Sequence, residues 1–345
     1  MKKFHCTKCG NRIHFDNSSC LKCGAALGFD PFSLQPLALE PAACGGYRTI
    51  GRERIQVRYC ENALHGVCNW LIPEHAGSTF CQACTLNRTI PNLAEPGQLD
   101  AWRELEKAKR RLTYALLRFG LPTDGGRTTI GPLTFDFVAG AQTGHLNGVI
   151  TIDVGETNSV ERERQRTYFA EGFRTLLGHL RHESGHYYWM LLVEAAGRLD
   201  EFRSLFGDER VDYGQALASY HGNGPRSDWD GWFVSRYASA HPWEDWAETW
   251  AHYLHIVATV DTAEALDMEP RPVLSRLNDI WRQDSRDVYR RGNFDSLMQR
   301  WLPLSVALNS LNRSMGHPDF YPYVIPTPAV AKLAFVHRLI RSGAG

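Results

Sequence analysis

Every cysteine of this chain, nine in all, lies between Cys6 and Cys84, and the rest of its 345 residues contain none. Four of them form two knuckles, Cys6-x2-Cys9 and Cys20-x2-Cys23, each followed by a glycine, Gly10 or Gly24. In such a knuckle a tight turn brings two thiolates to one metal, and glycine relieves the crowding. Two knuckles supply four sulfurs, the ligand set of a structural zinc. So short a segment has too few apolar side chains to close a core alone, so its folding is expected to depend on the metal. A secreted disulfide framework would not crowd its cysteines at one end of a long chain.

A second group follows: Cys60, Cys68, Cys81 and Cys84. Only Cys81-x2-Cys84 is a knuckle, and the first half is looser. A second four-thiolate zinc is expected here. Cys44 is left over, either as a spare or buried thiol or as a substitute for Cys60. It lies in a stretch marked by proline and glycine that reads as a connector over residues 31–59. The expected organisation is a zinc ribbon over 1–30, a connector and second four-cysteine module over 31–95, and a third domain over 96–345.

Hydrophobic residues make up 43% of the chain and charged residues 22%, enough for a sizeable core and too apolar for wholesale disorder. The 38 basic side chains balance 38 acidic ones, which argues against a general polyanion binder. Ten Lys/Arg against seven Asp/Glu in the first 95 residues is too small an excess to favour nucleic acid as a partner. No apolar run approaches the ~18 residues of a membrane span. The start, Met1-Lys2-Lys3-Phe4-His5-Cys6, lacks the apolar stretch of a secretory signal. A cytoplasmic protein with no membrane partner is expected.

Beyond Pro96 the pattern turns helical. Leu105, Leu112, Leu116 and Phe119 recur near helical spacing from Gln98 to the stop at Gly120. Leu133, Phe135 and Phe137 predict a strand, and Gly148–Asp153 a second, as a hairpin or as neighbours. Tyr168 to Ala196 predicts a long helix ended by Gly197. It carries His182-Glu183-Ser184-Gly185-His186. Residues four apart share a helix face, so the two imidazoles can converge on one metal. Glu183 stands beside them, placed to take a proton from an attacking water. His179, one turn earlier, reads as a supporting polar residue.

A catalytic zinc needs a third protein ligand. The segment Tyr237 to His252 offers it. Pro242 suits the first turn of a helix, and Trp243, Trp246, Trp250 and Tyr253 form a stripe that should pack inside. Glu244 and Glu248 share a neighbouring face. One would bind zinc while the other orients a ligating histidine, and spacing alone does not choose. Position favours Glu244, in the first turn where the chain enters the helix. If Gly148–Asp153 is an edge strand beside the cleft, its backbone can pair with an extended peptide.

His182-Glu183-x-x-His186 followed by a helix bearing Glu244-x-x-x-Glu248 resembles the gluzincin metallopeptidases. Tyr237, seven residues before Glu244, resembles an arrangement in the catalytic domain of anthrax lethal factor. With its cysteine-rich start and His241-Pro242-Trp243-Glu244-Asp245-Trp246-Ala247-Glu248, nearly the whole chain is similar to a bacterial group of zinc-binding metallopeptidases with ribbon-like N-termini. The resemblance implies an α+β fold: a mainly helical zincin-like domain with a short β-sheet, preceded by small zinc-ribbon modules. It implies a peptidase with one catalytic and two structural zincs, Glu244 as ligand and Tyr237 as transition-state donor. Glu248 stands where many gluzincins have aspartate. A peptide or protein is the expected substrate, and the ribbon a possible site for a protein partner. The competing reading is a non-catalytic ribbon protein, binding protein or nucleic acid, whose C-terminal metal only holds the fold. Glu183 discriminates, because a purely structural site has no need of it.

Overall fold

The computed structural model describes residues 2–43, 45–51, 53–158, 175–268, 287–290 and 292–343. The class is α+β, with seven α-helices and three small sheets among the described residues. Strands β1 (Phe4–His5) and β2 (Arg12–Ile13) pair antiparallel around the first knuckle. Gly10 N donates to Cys6 O and Gly24 N to Cys20 O, each at 2.8 Å. Both glycines have positive φ, +72° and +70°, which closes each knuckle in a conformation that costs a residue with a Cβ.

Strands β3 (Ala26–Asp30), β4 (Gln35–Pro41), β5 (Tyr47–Ile50), β6 (Gln56–Tyr59) and β7 (Leu71–Pro73) then form one antiparallel sheet in chain order. The stretch expected as a connector therefore supplies three of its strands. Phe15, Phe29 and Trp70 fill the space between this sheet and the thiolate clusters, with Phe29 4.7 Å from both Phe15 and Trp70 by ring centroids. Such aromatic pairs add about 0.5–1.5 kcal/mol each beyond their buried area.

The second sheet has the order β10-β11-β9-β8. Its strands are β8 (Asn87–Thr89), β9 (Thr134–Val138), β10 (Gly144–Leu146) and β11 (Val149–Asp153). The two expected strands are neighbours but parallel, in register Val149↔Thr134. The hairpin is instead β10–β11, with Leu146 opposite Val149. Gly148–Asp153 is thus interior, and among the described residues the edge belongs to β10. The other edge is β8, contributed from the N-terminal side of residue 96.

Helix α1 (Gln98–Phe119) serves both halves. Its Tyr114 packs into the ribbon core, 5.4 Å from Phe15, while Leu105, Leu112 and Leu116 face the larger core. Arg118, near its end, is buried against Asp261 and Asp287 at 3.1 and 2.7 Å. Helix α2 (Leu176–Trp189) starts after Thr175, whose hydroxyl accepts from Gly178 N. The start expected at Tyr168 lies outside the described residues. A π-helical turn over Met190–Glu194 follows, and Gly197 (φ +68°) ends the rod. Then come α3 (Leu199–Phe206), α4 (Tyr213–Asn223), α5 (Pro242–Ala265), α6 (Phe294–Ser314) and α7 (Thr327–Gly343).

Helices α2 and α5 pack against each other through glycine. A Cβ at Gly185 would stand 2.9 Å from Ala247 Cα and 3.2 Å from the Trp250 ring. Of the expected aromatic stripe, Trp246, Trp250 and Tyr253 are fully buried and Trp243 partly so, and Trp246 Nε1 donates to Gly185 O at 2.8 Å.

Candidate metal centres

Two clusters are made of sulfur. Cys6, Cys9, Cys20 and Cys23 form one, and Cys60, Cys68, Cys81 and Cys84 the other. These eight cysteines are free, with Sγ–Sγ separations such as 3.8 Å for Cys6–Cys23, 3.6 Å for Cys9–Cys20 and 3.7 Å for Cys68–Cys81. A disulfide needs about 2.05 Å. A tetrahedron with Zn–S bonds of about 2.3 Å has edges of about 3.8 Å, so the sulfurs fit zinc. Cys44 lies outside the described residues; Cys60 completes the second cluster.

The third cluster joins α2 to α5. His182 and His186 lie one turn apart with ring centroids at 5.2 Å. Glu244 enters from the first turn of α5, where Pro242 begins the helix and His241 Nδ1 accepts from Trp243 N. Glu244 is 1% exposed, with Oε2 3.0 Å from His182 Nε2 and Oε1 3.7 Å from His186 Nε2. Oε2 is buried and makes no hydrogen bond. An orphaned carboxylate oxygen facing an imidazole nitrogen is the arrangement a cation would satisfy, and two imidazoles with one carboxylate suit zinc.

Glu248 does a different job. Its Oε1 lies 2.8 Å from His182 Nδ1, and its Oε2 accepts from the Ser235 hydroxyl at 2.5 Å. The carboxylate fixes the proton on Nδ1 and leaves Nε2 to face Glu244.

Glu183 is also buried. Its Oε1 is 3.3 Å from His179 Nε2, and His179 Nδ1 is 2.7 Å from Glu156 Oε2. Glu156 in turn accepts from Thr143 at 2.5 Å. Burial disfavours a charge on His179, but its bonds to Glu156 and Glu183 outweigh that and push its pKa up to about 9. The residue read as merely supporting is therefore a cation bridging two carboxylates.

Tyr237 sits partly buried beside the cluster, its ring 5.8 Å from that of His182. Lys332 of α7 ties its segment down. It donates to Trp232 O at 3.2 Å and to Asp245 Oδ2 at 2.6 Å, and lies 4.4 Å from the Phe233 ring centroid. On the opposite flank, His145 of β10 stacks on His186 at 6.1 Å. The edge strand beside the cluster is therefore β10 and not Gly148–Asp153. Glu156, Thr143, Ser235 and His145 had no signal in the sequence, since none stands at a diagnostic spacing from the motif. No helix among the described residues is long and apolar enough to cross a membrane.

Residues 98–339 match the family described as "Putative zinc-binding metallo-peptidase", and residues 3–95 match a zinc-ribbon domain. The chain belongs to that metallo-peptidase family. It is 40% identical to uncharacterized proteins of Mycobacterium tuberculosis and Mycobacterium bovis, over 99% of this chain and 95% of theirs. No solved structure matches. The family and the two four-cysteine clusters together mark it as a zinc-binding protein.

Proposed function

We propose that the chain is a zinc-dependent metallopeptidase acting on a peptide or protein. His182, His186 and Glu244 hold the catalytic zinc, and the eight paired cysteines hold two structural zincs. The observation that carries this reading is the Glu244 carboxylate between two histidines, its orphaned Oε2 beside His182 and its Oε1 toward His186, with a carboxylate that is not a ligand, Glu183, next to His182 in the chain. When bound there, zinc supplies Lewis-acid chemistry, polarising a carbonyl and acidifying water.

Glu183 takes the proton of the attacking water and passes it to the leaving amine. His179 holds that carboxylate in place from the far side and is itself held by Glu156. Glu248 keeps His182 in the tautomer whose Nε2 is free to bind. Tyr237 donates a hydrogen bond to the developing oxyanion. An extended substrate pairs with the exposed edge of β10, which the His145–His186 stack keeps beside the cluster. The ribbon modules offer a surface for a protein partner, and a cytoplasmic location suits cysteines that form no disulfide.

The test compares peptides released from a proteome-derived library by wild type and Glu183→Gln. Glutamine cannot act as the base, so the variant should keep its zinc and lose hydrolysis by at least about 100-fold. Equal cleavage by both proteins would remove the peptidase reading.

A further inference from the structure

Helix α4 buries none of its residues, yet its first residue reaches the candidate metal centre. The Tyr213 hydroxyl donates to Glu244 Oε1 at 2.6 Å. Oε2 is left as the carboxylate oxygen without a hydrogen bond.

The surroundings of Tyr213 are built to hold it. Its ring meets His241 edge-on at 5.1 Å and lies 5.9 Å from Trp243. His241 has both nitrogens engaged: Nδ1 accepts from Trp243 N, and Nε2 donates to Val211 O at 3.1 Å. The same histidine therefore caps α5 and pins the backbone two residues before Tyr213. Arg203 grips Glu209 through Nε at 3.0 and 3.2 Å. Asp212 caps α4 by accepting from Gln215 N at 2.8 Å. The stretch from 209 to 213 is thus held by the side chains of Glu209, Asp212 and Tyr213 and by the carbonyl of Val211, although the helix it leads into is exposed.

We propose that Tyr213 is the positioning residue of the ligand Glu244. Its hydrogen bond to Oε1 fixes the rotation of the carboxylate and biases it to bind zinc through Oε2, which leaves a coordination position for the substrate. This rests on the reading that His182, His186 and Glu244 hold zinc. It also accounts for His241-Pro242-Trp243-Glu244 as a unit: histidine and tryptophan box the tyrosine that sets the glutamate. A carboxylate free to rotate can bind through both oxygens and fill the position that the reaction needs.

Tyr213→Phe keeps the ring and removes the hydroxyl, and Gln215→Ala on the same exposed helix is the control. Zinc affinity of the histidine site is measured by chelator competition with the thiolate sites loaded. Fully cadmium-loaded protein is then read by cadmium NMR, in which the nitrogen-and-oxygen site and the four-thiolate sites fall in separate shift ranges. Tyr213→Phe should weaken zinc binding at the histidine site about 10–100-fold. It should also move that one cadmium resonance, with the two thiolate resonances and the melting temperature unchanged. Gln215→Ala should match wild type in both measurements. An unchanged affinity and resonance in Tyr213→Phe, or an equal change in Gln215→Ala, overturns the assignment. A wild type with no third resonance removes the metal reading itself, and the role of Tyr213 with it.

Discussion

Gly185 and Ala247 stand so close that a Cβ on the glycine would lie 2.9 Å from the alanine Cα. The contact lies between His182 and His186 on one side and between Glu244 and Glu248 on the other, so it sets the separation of all four. Gly185→Val should wedge α2 from α5 and lower stability by about 1–3 kcal/mol, the usual cost of overpacking. Valine has the better helix propensity, so the loss would come from packing alone. Zinc at the histidine site should fall with it. A melting temperature equal to wild type would show that the two helices can shift apart freely.

Elemental analysis should find three zincs per chain in wild type and two in His182→Ala. Glu244→Ala should also drop to two, since it removes the buried oxygens that face both histidines. Glu248→Ala should keep three at saturating metal and bind the third about 10–100-fold more weakly, because it only orients His182. Loss of the metal in Glu248→Ala and its retention in Glu244→Ala would exchange the two roles.

Tyr237→Phe should lower kcat by roughly one to three orders of magnitude, the scale for one oxyanion donor, without changing zinc content. Unchanged turnover would leave Tyr237 as a packing residue against His182 and Tyr220.

His179 links stability to pH. Its folded pKa of about 9 exceeds the ~6.5 of an unfolded histidine. The ion pairs with Glu156 and Glu183 therefore contribute fully below about pH 6.5 and fade as the pH rises through about 9. Urea midpoints of wild type and His179→Gln should differ most at pH 6 to 6.5 and converge above about pH 9. A difference that stays constant across this range would mean that His179 is neutral in the folded protein.

The knuckles, the two-histidine helix, the glycine stops at Gly120 and Gly197, and the tryptophan stripe of α5 could all be read from the sequence, because each depends on spacing within one element. The sheet over 31–59 could not. Pro36 and Pro41 lie inside β4, and its strands alternate too weakly to stand out from a connector. The edge strand was misplaced because β10 has only three residues and little apolar character. Tyr213 reaches Glu244 from 31 residues before it and Glu156 reaches His179 from 23 residues before it, on elements whose own patterns point elsewhere. Only the tertiary fold brings them in.

Two residues separate Cys84 from β8, and β8 is already part of the C-terminal sheet. Asn87 on that strand donates to Glu106 at 2.7 Å and accepts from Lys109, a lysine and glutamate that are wholly buried in α1. The ribbon is therefore not an interchangeable cassette. Recombination at residue 95 would leave the C-terminal half with a sheet short of one edge and an interior ion pair stripped of its amide partner. The relatives align across both halves, over 99% of this chain.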